Sequence, residues 1–210
     1  MKKIILIIIL ISAAYFLKPQ WFLFLTETAA FDQQGNPQVL IFTHKKCGKP
    51  CSDAKALIAG RGVRYTEYKL DGNEQNQTLW KKYGGVNSFP NIIIGSEKVY
   101  GSYKGKIVSA LSLNYGEAVL SSAERSYISR HFTADGKPEL VIYGASWCPY
   151  CKKLREALNN NGIKFREIDV EKSAQRTSMT KTLGISGYPL VYYGYKRMDG
   201  PRPSKVLALF

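Results

Sequence analysis

Trp147-Cys148-Pro149-Tyr150-Cys151 stands between the apolar run Glu139 to Tyr143 and a helix-like run from Lys152 to Asn161. Two cysteines three apart, where a strand gives way to a helix, form a specific chemical device. The first backbone N–H groups of a helix have no intrahelical acceptor, so a sulfur placed there meets free donors and the positive end of the helix dipole. Such a place favours thiolate over thiol, and a partner one turn on is close enough to close a disulfide behind it. Cys148 is therefore the candidate attacker and Cys151 the candidate resolver. Pro149 suits the first helical position, where a missing N–H costs nothing. As a bare pattern, CxxC also serves zinc sites and structural bridges. Here a strand precedes it, a helix follows it, and Tyr188-Pro189 leads into another apolar run downstream, which favours redox use.

This order, a CPYC tetrad followed by a second strand, a helix and a proline opening a third strand, resembles a glutaredoxin over Lys137 to Phe210. Trp147, directly before the first cysteine, is more similar to thioredoxin. The resemblance recurs earlier in the chain. Val39 to Thr43 matches Leu140 to Gly144, Cys47 matches Cys148, Glu67 matches Glu167, Gly84 matches Gly184 and Pro90 matches Pro189, at an offset close to one hundred. A repeat so regular reads as a tandem duplication. The expected fold class is α/β: two tandem thioredoxin-like βαβαββα domains after an N-terminal hydrophobic segment, each with helices on both faces of a four-stranded sheet. The expected boundaries are a signal anchor or signal peptide over 1–25, a linker over 26–37, a first domain over 38–114, a helical linker over 115–137 and a second domain over 138–210.

The halves are not equivalent. Cys47-Gly48-Lys49-Pro50-Cys51 carries one residue more between its cysteines, and a helix would stack positions four apart on one face. Lys45, Lys46 and Lys49 crowd Cys47 and favour its thiolate. His44 reads either as a proton shuttle or as a solvated loop histidine, and His131 carries no functional context. In the resembled families the prolines of Phe89-Pro90 and Tyr188-Pro189 are cis, lie beside the cysteines, and offer backbone to an extended substrate. The resemblance thus implies Trp147, Tyr150, Tyr188, Pro189, Phe89 and Pro90 as substrate contacts. Glutathione contacts are incomplete. Lys104 stands where an acid is expected, the second half has Asp199-Gly200-Pro201-Arg202, and Ala145 takes the place of an upstream lysine.

Lys2-Lys3 followed by the apolar Ile4 to Leu17 reads as an export signal, either cleaved or kept as an anchor extending toward Leu25. In a bacterial cell this places the protein at the inner membrane facing the periplasm, or free in the periplasm if the segment is removed. A formal charge of +14 points to anionic surroundings or partners, or else to a solvated surface far from its isoelectric point, and scattered basic residues without a recognition motif argue against nucleic acid. The expected activity is thiol–disulfide exchange with protein thiols or disulfides, with no bound cofactor or metal and with glutathione as a candidate reductant. The competing reading is a non-enzymatic protein of the cell envelope, holding metal through its thiolates or docking partners. Some members of the resembled family share an iron–sulfur cluster between subunits, and Pro149 in the tetrad argues against that here. The short final helix from Ser204 suggests apolar surface left for the first domain or another subunit to cover.

Overall fold

In the computed structural model, which describes residues 29–210, two runs of apolar β-formers become the central strands of two sheets. Val39–Thr43 forms β1 and Leu140–Gly144 forms β5, both buried along their whole length, as expected of strands covered on both faces. After β1 come helix α1 (Lys49–Ala59), strand β2 (Thr66–Lys69), helix α2 (Glu74–Lys82), and the hairpin of β3 (Asn91–Ile94) and β4 (Glu97–Tyr100). Helix α3 (Lys104–Tyr115) and the linker helix α4 (Ser122–Ile128) follow. The second half repeats the order with α5 (Pro149–Asn160), β6 (Arg166–Asp169), α6 (Arg176–Leu183), β7 (Leu190–Tyr193), β8 (Lys196–Asp199) and α7 (Pro203–Leu207). The strand orders, β2-β1-β3-β4 and β6-β5-β7-β8, are identical, with a parallel first pair and antiparallel later ones. Two tandem thioredoxin-like domains are therefore present. The peptide bonds before Pro90 and Pro189 are both cis.

Several local expectations need correction. The expected linker over 26–37 is partly sheet: Ala30 is buried, bridges Gly95 and takes part in backbone hydrogen bonds with Gly95 and Gln38. The connection after Asn114 is not one helix. Gly116, in the left-handed region, ends α3, and a 3₁₀ turn at Gly116–Val119 precedes α4. There Ser121 and Glu124 form a reciprocal capping box. The hydrophobic segment over 1–25 lies outside the described residues, and no described helix is long and apolar enough to cross a membrane.

Helix α3 joins the halves. Ile107, Ala110 and Leu111 enter the first core, whereas Val108 packs with Tyr143, Leu183 and Tyr192 of the second. The Ser109 hydroxyl donates to Tyr195 O (2.7 Å) and accepts from Arg197 N (3.0 Å), so it stands in for a neighbouring strand at the start of β8. Leu120, Tyr127 and Ile128 cover the α6 side of the second sheet. First-domain and linker residues therefore cover the face opposite the short α7, which packs its Val206 with Leu154 and Leu158. The linker is also fastened to the first domain. Arg61 forks onto Glu124 at 2.6 and 2.9 Å, and Lys104 approaches the same carboxylate at 3.2 Å. Burial opposes the charge of Glu124, but the hydrogen bonds from Arg61, Ser121 and Lys104 outweigh it and hold the carboxyl at about 2.

His131, expected to lack context, is fully buried under the second sheet. Its Nε2 lies 2.7 Å from the Tyr143 hydroxyl and its Nδ1 3.2 Å from Gly194 O. Burial pushes its protonation down to about 4, against 6.5 ordinarily. The unfolded chain thus takes up this proton at higher pH than the folded one. The stability His131 confers is complete above pH 6.5 and is lost as pH falls toward 4, by about 3 kcal/mol in all. Urea midpoints between pH 7 and 5 are expected to fall with acidity, and His131→Phe to flatten that slope; an unchanged slope would contradict this assignment.

Candidate active site

Cys148 occupies the position just before α5, its sulfur accepting the backbone N–H of Cys151 at 3.1 Å. Pro149 takes the first helical position, as its missing N–H suggests. Both thiols are free and buried, and with Ala145 they form a small cluster against Tyr188. Burial, the hydrogen bond with Cys148 and the negative charge of Glu167 together push the Cys151 thiol up to about 12. Cys151 is thus held as a thiol while Cys148 faces the opening. A hollow of about 600 Å³ beside Cys148 is walled by Trp147, Tyr150 and Tyr188. Trp147 and Tyr150 are each 69% exposed, and Trp147 meets Tyr188 edge-on at 6.1 Å. The Tyr188 hydroxyl donates to Glu171 (3.0 Å), itself paired with Arg176 (2.6 Å), which fixes the ring over the site. Pro189 and Tyr150 line an adjoining hollow of about 450 Å³ that reaches Gly200, Pro201 and Arg202. The structure therefore brings together Trp147, Cys148, Tyr150, Cys151, Tyr188 and Pro189.

Beneath the pair lies a group whose role the sequence does not reveal. A methyl group on Gly144 would stand 3.1 Å from both Cys151 Sγ and Glu167 Oε1, so sulfur and carboxylate face one small gap that only glycine leaves open. Arg155 holds Glu167 at 2.6 Å. The first domain repeats the charge pair, with Lys55 3.0 Å from both oxygens of Glu67, but Thr43 stands where Gly144 does and donates to Glu67 Oε1 (2.9 Å). The legible signal was the acid at 67 and 167 and the cation at 55 and 155, at the offset that separates Cys51 from Cys151.

The first pair is built differently. Cys47 and Cys51 are joined as a disulfide with Cα atoms 5.6 Å apart. They do not stack on one helix, as the spacing alone suggested: Cys47 ends a 3₁₀ turn at Lys45–Cys47, Gly48 precedes α1, and Cys51 lies within α1. The extra residue is absorbed at Gly48, at φ 52° and ψ −129°, a backbone state open to glycine. Of the three lysines, Lys49 is engaged by Asp53 at 2.7 Å, while Lys45 and Lys46 are exposed. His44 is part-exposed and also partnered. Its Nδ1 accepts from Lys46 N (3.2 Å), its Nε2 lies 3.3 Å from Asp71, and its ring stacks on Phe89 at 5.6 Å. Asn91 bonds to Val86 and Ser88, holding the loop ahead of Phe89 and the buried Pro90. Among the described residues, no three His, Cys, Asp or Glu side chains converge as a metal site would require.

Comparison with known proteins points the same way for both halves. The glutaredoxin family profile matches residues 39–99 and 140–197, more than half of the chain. A glutaredoxin of Pseudomonas aeruginosa is 31% identical over 64 residues, covering 30% of this chain and 76% of that protein. A probable protein disulfide-isomerase A6 of Medicago sativa is 33% identical over 85 residues, 35% of this chain but 23% of that one. The solved glutaredoxin of Archaeoglobus fulgidus is 30% identical and covers 34% of this chain and 84% of that one, with a TM-score of 0.31.

Since Gly48 alone absorbs the additional residue, Gly48→Ala is expected to destabilise the first domain by about 1–3 kcal/mol in urea unfolding. Gly62→Ala, also at positive φ but away from the cysteines, calibrates the backbone cost. Cys47–Cys51 should become easier to reduce in Gly48→Ala alone, and equal behaviour of the two variants would contradict the role given to Gly48.

Proposed function

Because the chain belongs to the glutaredoxin family, a family of thiol–disulfide oxidoreductases, we propose that Cys148 and Cys151 are its exchanging pair and that polypeptide disulfides are its principal substrates. The observation that carries this reading is the division of labour at the start of α5, where Cys148 sits on a free helix N–H and Cys151 is held as a buried thiol behind it. Cys148 releases its proton to solvent and its sulfur attacks one sulfur of the substrate disulfide, whose bond breaks, and the departing thiolate takes a proton from solvent. Cys151 then gives its proton to Glu167, the carboxylate that faces the same gap beside Gly144. Its thiolate attacks the Cys148 sulfur, releasing the second substrate thiol and leaving a Cys148–Cys151 disulfide. Two electrons have passed from the protein to the substrate, and a dithiol or two molecules of glutathione would return them. In the opposite direction the oxidised pair accepts electrons from a substrate dithiol.

The exposed Trp147 and Tyr150 beside the attacking sulfur favour a polypeptide, whose apolar side chains they can cover, and the Tyr188-Pro189 backbone offers an edge for an extended chain. Glutathione fits less completely. Ala145 is buried against the cysteines in the place of the expected lysine, and Asp199 is occupied by Arg197 at 2.6 Å. The disulfide of the first domain is proposed as a second exchanging pair, approached past His44 and Phe89. The segment from Ile4 toward Leu25, read from its composition, would hold both domains at a membrane outside the cytoplasm.

With Cys151→Ser, a disulfide-bonded peptide is expected to accumulate on Cys148, visible as a mass increment removed by reductant. Cys148→Ser should show none, and trapping on the wrong cysteine would overturn the assignment. Glu167→Gln should slow release of the second thiol by about 10²-fold at neutral pH while leaving the first attack unchanged. Equal slowing of both steps would reduce Glu167 to a structural role.

A further inference from the structure

Between the domains runs a groove of about 580 Å³ that no step above uses. Its floor is α3, through Lys106, Ser109 and Ala110, and its two banks are the last strand of each sheet, β4 and β8. These strands do not pair with each other. Gly101 N donates to Pro90 O and Gly200 N to Pro189 O, so alternation turns the backbone of Lys98 and Tyr100, and of Arg197 and Asp199, away from their own sheets. On β8 the Ser109 hydroxyl satisfies Arg197 N and Tyr195 O. On β4 the N–H and C=O groups of Lys98 and Tyr100 have no partner among the described residues. An edge left open in this way is a template for one more strand.

The charges at the groove select what that strand carries. Lys98, Arg202 and Lys205 are exposed and have no acidic partner among the described residues. Asp199 is already neutralised by Arg197 and Lys106, which leaves Glu97 as the one unpaired acid of the lining. Gly200, Pro201 and Arg202 line both this groove and the hollow beside Tyr150, Tyr188 and Pro189, so the two are continuous. We propose that the interdomain groove is a docking site for an extended acidic segment of the polypeptide substrate, added as a strand to β4 while the substrate disulfide lies at Cys148. This rests on the oxidoreductase reading given above. It assigns the first domain a share in substrate recognition that does not depend on its own cysteines.

The probe is a fluorescein-labelled, cysteine-free peptide of alternating glutamate and valine, titrated by anisotropy against the full chain. It is expected to bind, Lys98→Glu combined with Lys205→Glu to weaken it by about tenfold, and N-methylation of at least one alternate set of its amides to abolish binding. The same peptide joined to a cysteine carried as a mixed disulfide should be reduced, with glutathione as reductant, about tenfold more efficiently than the cysteine peptide alone, through KM. The double variant should lose that advantage while turning over bis(2-hydroxyethyl) disulfide normally. No binding up to about 1 mM, or undiminished binding after both methylations, overturns the docking site. So does a dimer in light scattering that the peptide does not dissociate, since a second copy would then hold the edge. Failure to turn over the small disulfide sinks the oxidoreductase reading instead, and leaves peptide binding to stand or fall separately.

Discussion

The second site depends on one backbone N–H. At the start of α5 the amide of Cys151 has no acceptor within the helix, and the sulfur of Cys148 supplies one at 3.1 Å. That contact sets the Cys148 sulfur at the helix start, where it lines the hollow, with the buried Cys151 behind it in the helix. Pro149 at the first helical position, having no N–H, keeps the turn without competing for the accepting sulfur, and β5 brings the chain to this point from inside the sheet. What lies beneath then follows. With Cys151 turned inward, Gly144 must be bare for sulfur and Glu167 to face a common gap, and Arg155 holds that carboxylate in place. In the first domain the corresponding gap holds the Thr43 hydroxyl and the cysteine spacing is longer, so one duplicated frame carries two different thiol environments.

The frame itself is held by burial around α3. A helix with a single apolar side serves one core; this one is buried on several sides because Ile107 and Leu111 belong to the first domain and Val108 to the second. Two serines on it are tolerated because each is satisfied. Ser109 closes part of the β8 edge, and Ser112 bonds back to Val108 O and Ser109 O. The Arg61–Glu124 pair and the Tyr127–Ser178 hydroxyl contact at 2.7 Å tie the linker to both halves. The domains therefore meet as a built interface, and their unpaired edges face one groove.

Much of this was legible in the chain. The apolar runs, the offset near one hundred and the family resemblance pointed to two four-stranded units and located both cysteine pairs, because strands such as Val39–Thr43 and Leu140–Gly144 are continuous apolar runs bounded by turn chemistry. Attention to Tyr188 came from the repeat and the family resemblance, and its ring meets that of Trp147 next to Cys148. The rest turned on contacts between segments far apart in sequence. His131 looked idle because nothing local tells of Tyr143 and Gly194 closing over it. The stretch from Asn114 to Arg130 looked like one helix with an apolar side because the break at Gly116 and the restart at Ser121 are short-range signals inside a long apolar pattern. Glu167 was visible as a matched position, but its place behind Cys151 follows from parallel pairing of β5 with β6.

The most direct test of the account is an equilibrium redox titration of the full chain in glutathione buffers, with alkylation and intact-mass readout of each cysteine pair. Cys148 and Cys151 should exchange together as one two-electron couple within the span of about −270 to −120 mV that catalysts of this kind occupy. A pair that stays reduced across the range, or resists reduction below about −300 mV, would contradict an exchanging role for Cys148 and Cys151.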